Sequence, residues 1–218
     1  METLGLALAS LQLLAAFWLV AGKRMHSHIS AFRAQAVLLA VNVGALGVRE
    51  VLATGRPDLL VVCAALVALK VVYIPRKLHR TYAAIEYRIE KDFLANIPTL
   101  VLACVALVLL VYAAVSGLGA SVSATRALLL VEALSVVLVG VFFLLSRRKA
   151  IGQIVGLLVI ENGLFATGLY ASDGMPFIVD LGILLDLLTA VLVLGVLVLH
   201  IDDAFETTDT DRLDGLKG

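Results

Sequence analysis

Soft metal ligands are scarce in this chain of 218 residues, which has two cysteines and four histidines. Cys63 and Cys104 each stand inside an apolar stretch and read as packed side chains, so an iron–sulfur or nickel centre finds no ligand set here. His26 and His28 are the nearest thing to a metal pair, but Lys23 and Arg24 beside them point instead to a membrane interface. Net charge is missing too: 17 Lys and Arg balance 17 Asp and Glu, which excludes a basic nucleic-acid surface. No stretch is long and polar enough to form a soluble domain on either side. The chain thus lacks the parts for redox or hydrolytic chemistry and reads as a non-catalytic part of a larger complex.

What the chain has in excess is apolar sequence. Hydrophobic residues make up 61% of it, against about 45–50% in soluble proteins, and the mean hydropathy is +1.05. This composition predicts an all-α integral membrane protein. Its start, METLGLALASLQLLAAFWLVAGKR, has no basic residues before the apolar run, so it reads as a first spanning helix and not as a signal peptide.

Stretches able to span at about twenty residues each run Leu4–Gly22, Ala31–Leu52, Leu59–Pro75, Leu94–Ser116, Ala127–Leu145, Ile151–Ala171 and Phe177–His200, seven in all. The third is short, and Pro75 is expected to stop or kink it. Positive charge collects in alternate connections: Lys23 and Arg24; Arg76, Lys77, Arg80, Arg88 and Lys91; Arg147, Arg148 and Lys149. The positive-inside rule then places the N-terminus outside and the C-terminus in the cytoplasm. The spans group as an N-terminal three-helix part (1–93), a fourth helix with its outer loop (94–123), a second three-helix part (124–200) and an acidic tail (201–218). Arg76–Phe93 carries Tyr82, Ile85 and Ile89 at helical spacing among basic residues, which suits a helix lying on the membrane surface.

Five ionisable residues of the spans stand out as candidates at membrane depth. Glu161, Asp186 and Lys70 count to about 13–17 Å deep, close to the midplane. Glu132 lies at about 10 Å from the outer surface, and Asp180 is shallower still. Burying such groups costs roughly 3 kcal/mol or more each, so they mark function by default. Blander readings exist for three of them. Lys70 is near enough to Pro75 for its stem to snorkel outward, Asp180 suits a helix N-terminus, and outside water could reach Glu132. Glu161 and Asp186 are too short to snorkel.

At about 100° per residue, Gly152, Gly156 and Gly163 share one face of the sixth span and Glu161 takes the opposite one. The glycine face invites close approach by a neighbouring helix. Glu161 must then also face protein or water, with Lys70 or Asn162 available to it. Low-dielectric surroundings disfavour a charged carboxyl and a nearby ammonium favours it, so small rearrangements could load and unload a proton. An ion pair that only fixes helix positions would use the same residues.

The stretch SRRKAIGQIVGLLVIENGLF, its GMP turn and the following helix with Asp186 resemble component E of hydrogenase-4, a membrane subunit of formate-hydrogenlyase-type [NiFe] hydrogenases. The likeness extends to AQAVLLAVNVGAL, ALVALKVVYIP and the C-terminal DRLDGLKG. The last three spans also resemble the K-type subunit of complex I and the C-type subunit of multisubunit cation/proton antiporters. Asp186 falls where that family carries a glutamate, and Glu161 stands one turn after the position of the other. The resemblance implies a prokaryotic cell membrane, antiporter-like neighbours, and a cytoplasmic hydrogenase arm whose partner subunits hold the nickel–iron and iron–sulfur centres. It implies no cofactor in this chain. Glu161, Asp186 and Lys70 would be links in a proton route. An antiporter or complex I variant, and a structural subunit whose acids only specify packing, are the alternatives.

Overall fold

The computed structural model describes residues 2–84, 96–117, 123–147 and 150–171, and every regular element among them is helical. The elements are α1 (Glu2–Ala21), α2 (Met25–Thr54), α3 (Asp58–Leu66), a π-helical segment (Val67–Tyr73), α4 (Ile74–Ala84), α5 (Ile97–Ser116), α6 (Ala124–Ser146) and α7 (Ala150–Ala171). Helices follow from the solvent these sequences suit: inside a bilayer every backbone N–H and C=O must be paired within the segment. Among the described residues six helical stretches are long and apolar enough to cross a membrane, the third of them running Asp58–Arg80 through the π segment. The chain is a multi-pass membrane protein. The expected seventh span, Phe177–His200, lies outside the described residues, as do Asp180 and Asp186.

Turn chemistry sets the helix ends. Gly55 closes α2 at φ 74°, a left-handed conformation open to glycine, and its N–H bonds the Val51 carbonyl. Ser123 caps α6, its side chain accepting from the Arg126 N–H at 3.3 Å. Pro98 stands in the first turn of α5, where its missing N–H costs nothing.

Pro75 does not end the third span. The helical path continues through it to Ala84, because Val67–Tyr73, just before it, opens into a π-helical segment. A proline ring clashes with the carbonyl four residues back, and the wider turn relieves that contact. Of the expected surface helix at Arg76–Phe93, the part up to Ala84 therefore continues the third span, and 85–93 lies outside the described residues.

Around the bundle, α1 packs on α2, α2 on α7, α7 on α6 and α6 on α1, closing a four-helix ring. The α3–π unit lies against α2, and α5 lies against α6 and α1. Two large apolar cores stack along this ring. One gathers Ala9, Leu39, Leu66, Ala133 and Phe165, towards the end where α1, α3 and α6 begin. The other gathers Ala16, Phe32, Ile74, Val136 and Val159, towards the opposite end. On its outer side α5 exposes Leu102, Leu109 and Leu110, an apolar surface suited to lipid.

Small residues bring α6 and α7 together. A Cβ on Gly163 would stand 2.8 Å from the Val137 nitrogen, and one on Gly156 would stand 2.9 Å from the Leu144 Cα. The face of α7 that carries these two glycines therefore packs backbone to backbone against α6. Glu161 is left to the other side.

Candidate functional site: a buried ion pair between two cores

Glu161 meets Lys70. The ammonium nitrogen lies 3.3 Å from Glu161 Oε1, and the Lys70 and Glu161 side chains are 1% and 5% exposed respectively. Lys70 Nζ also donates to Asn162 Oδ1 at 3.1 Å. Three residues from two distant parts of the chain thus form one buried group. Lys70 turns inward to α7 and does not snorkel towards an interface.

Chain order explains the placement. Lys70 sits between Leu66 of one apolar core and Ile74 of the other. Glu161 and Asn162 sit between Val159 and Phe165 in the same way. Apolar side chains seal the group at both ends, so the attraction acts in a low-dielectric gap. Lys70 belongs to the π segment, whose altered spacing sets its direction differently from that of an α-helical residue.

Such a pair has two forms that hold the same number of protons. A proton passed from ammonium to carboxyl leaves two neutral groups, and the return restores the ion pair. The Asn162 carbonyl can accept a hydrogen bond from the lysine nitrogen in either form. The arrangement can hold a proton, donate it or accept it, without any further cofactor.

Glu132 has a different partner. Ser10 Oγ donates to its Oε1 at 2.5 Å, joining α6 to α1. Asn42 Nδ2 donates to the Tyr170 hydroxyl, joining α2 to α7, and Tyr170 lies within electrostatic reach of Glu132. At the rim, Arg126 donates through Nε to the Tyr170 carbonyl at 2.8 Å and through its terminal nitrogen to the Ala171 carbonyl at 3.0 Å. These last two bonds occupy carbonyls that the end of α7 would otherwise leave open.

Several polar residues here carry no charge signal in the sequence. Gln12, Gln35 and Asn42 are buried, and Gln35 Nε2 donates to the Gln12 carbonyl at 3.0 Å. His28 is buried as well, bonded at 2.8 Å to the Gly22 carbonyl and edge-on to Phe143, while His26 is exposed beside His79. His26 thus lies at the protein's surface and His28 inside it, because the chain folds back at Gly22 and carries that ring under the turn. The seven-residue spacing of His28, Gln35 and Asn42 keeps one face of α2 and was the available signal. Cys104 is buried and Cys63 half-buried, the latter's thiol donating to the Ala40 carbonyl at 3.2 Å. Among the described residues no group of three His, Cys, Asp or Glu could hold a metal ion.

The chain is similar to the uncharacterised protein Rv0085 of Mycobacterium tuberculosis, with 40% identity over 85 residues. That stretch spans 39% of this chain and 39% of the relative. No family model matches the chain. No solved structure matches it either.

Proposed function

We propose that the chain is a membrane-arm subunit of a hydrogenase assembly related to complex I, in which the Lys70–Glu161 pair carries protons during redox chemistry done elsewhere. The observation behind this reading is the pair itself, sealed between two apolar cores and held by Asn162. The resemblance of the GLLVIENGLF region to hydrogenase-4 component E supplies the assembly. In this reading the protein crosses a prokaryotic cell membrane seven times, with its N-terminus outside and its C-terminus in the cytoplasm. Antiporter-like subunits flank it, and the nickel–iron and iron–sulfur centres sit in a cytoplasmic arm made by other chains. Asp186, Asp180 and Glu132 extend the route.

A scaffold reading is favoured by one observation. The same pair ties the π segment to α7, and a packing role needs nothing more. Glu161→Gln in the native complex separates the two. Proton transfer predicts an assembled complex that oxidises or evolves hydrogen with proton translocation impaired. Full translocation in that variant refutes the relay, and failed assembly favours the scaffold. Purifying the tagged chain from native membranes tests the context: a nickel-containing hydrogenase must come with it, and an antiporter in its place overturns the assignment.

A further inference from the structure

The gap between the two apolar cores is polar on every helix of the ring. Gln12 stands there on α1, Gln35 on α2, Ser135 on α6 and Asn162 on α7, each flanked by members of both cores. They are 5%, 1%, 0% and 3% exposed. One atom of each has no hydrogen-bond partner among the described residues: Gln12 Nε2, Gln35 Oε1, Ser135 Oγ and Asn162 Nδ2. Buried polar atoms in native proteins are nearly always satisfied, so four at one place call for a common answer.

Three contacts put the four at one level. The Ser10–Glu132 bond aligns α1 with α6, which run in the same direction, and brings Gln12 to about the height of Ser135. Gly163 lies against Ala133 and Val137, which brackets Ser135 beside Asn162. The Asn42–Tyr170 bond aligns α2 with α7, which also run in the same direction, so that two turns back Gln35 stands level with Asn162 and Gly163. Because α1, α2, α7 and α6 close a ring, residues at one height on its inner side face a shared centre.

We propose that this centre is a binding site for ordered water. The chemistry matches the molecule: Gln12 Nε2 and Asn162 Nδ2 donate, Gln35 Oε1 accepts, and the Ser135 hydroxyl supplies a second acceptor. A water that accepts twice and donates twice satisfies all four, within the usual two to four partners of a buried water. A metal cation would meet two N–H donors, and an anion would meet the Gln35 oxygen. The site also positions the ion pair. With its amide nitrogen held by water, Asn162 is fixed with its oxygen towards Lys70. The inference does not depend on whether Lys70 and Glu161 move protons.

The test is a structure of the full chain in its native complex at a resolution that shows waters, together with the melting temperatures of Gln12→Met and Ser135→Ala. Density within hydrogen-bond distance of all four atoms is expected, and direct pairing among them with no density between overturns the proposal. Both variants are expected to melt lower, because each takes a partner from the shared water. Unchanged or higher melting in both means a dry core relieved of unsatisfied groups, and also overturns it.

Discussion

Lys70 and Glu161 meet at 3.3 Å although one belongs to the π segment and the other to α7. Neither helix could bury its charge alone, since an unpaired ion in this setting costs several kcal/mol. The pair makes the α3–π unit and α7 conditional on each other. It also puts the chain's one described lysine–carboxylate pair of this depth at the junction of the two apolar cores.

Removing one partner is expected to do more harm than removing both. Lys70→Ala leaves Glu161 without its ammonium and is expected to cost about 3–5 kcal/mol. Lys70→Met with Glu161→Leu replaces the pair by apolar side chains and is expected to recover most of that loss. Melting temperatures of the purified chain in one detergent check the order. If the pair conducts protons, the double variant assembles and melts near wild type but fails to translocate.

The α6–α7 contact should be intolerant of a single methyl. Gly163→Ala places a carbon 2.8 Å from the Val137 backbone nitrogen, which cannot swing aside. A loss of about 1–3 kcal/mol is expected from such overpacking. Gly5 in α1 has nothing within 4 Å, so Gly5→Ala is expected to be neutral or mildly stabilising. Thermal denaturation of the two variants side by side makes the comparison.

Tyr170 and Asn42 form a second link between α2 and α7. Tyr170→Phe strands the buried Asn42 amide and is expected to cost about 1–3 kcal/mol. Adding Asn42→Leu removes the stranded donor, so the double variant should lose less than the sum of the singles. Arg126 bonds the backbone carbonyls of Tyr170 and Ala171, which neither substitution removes, so its capping of α7 should survive in both.

The proposed orientation can be read by thiol labelling. Arg56 lies exposed in the connection after α2, and Lys23 lies exposed in the connection before it. With the N-terminus outside, Arg56→Cys is expected to react with a membrane-impermeant maleimide in intact cells. Lys23→Cys should react only after permeabilisation. The reverse pattern would invert the topology.

Much of this architecture was legible in the residues. Long apolar runs gave four of the spans to within a few residues, and the place of Lys70 and Glu161 inside apolar runs marked both as buried. The glycine face of α7 followed from periodicity, with Gly156 and Gly163 on it. Two things were not legible. A proline motif does not reveal that the turn before it will widen, because the relief depends on how Leu66 and Ile74 are anchored in different cores. Gln12, Gln35 and Ser135 were lost in their hydropathy windows, since a single neutral polar residue barely lowers the average. Their alignment is a property of four packed helices, invisible in any one of them.

The π segment yields the last prediction. A π turn holds a residue more than an α turn, so deleting Val71 is expected to let Val67–Tyr73 close as an ordinary α-helix. Leu66 and Ile74 remain seated in their two cores, so the chain should still insert and fold. Lys70, however, changes its direction relative to α7 and gives up Asn162 and Glu161. The deletion should then melt as Lys70→Ala does, with Glu161 left charged and buried without its ammonium. Adding Glu161→Gln should raise the melting temperature of the deletion while lowering that of the wild type. That opposite sign would tie the wide turn to the pair, because a turn serving only Pro75 would leave Glu161→Gln with the same effect in both backgrounds.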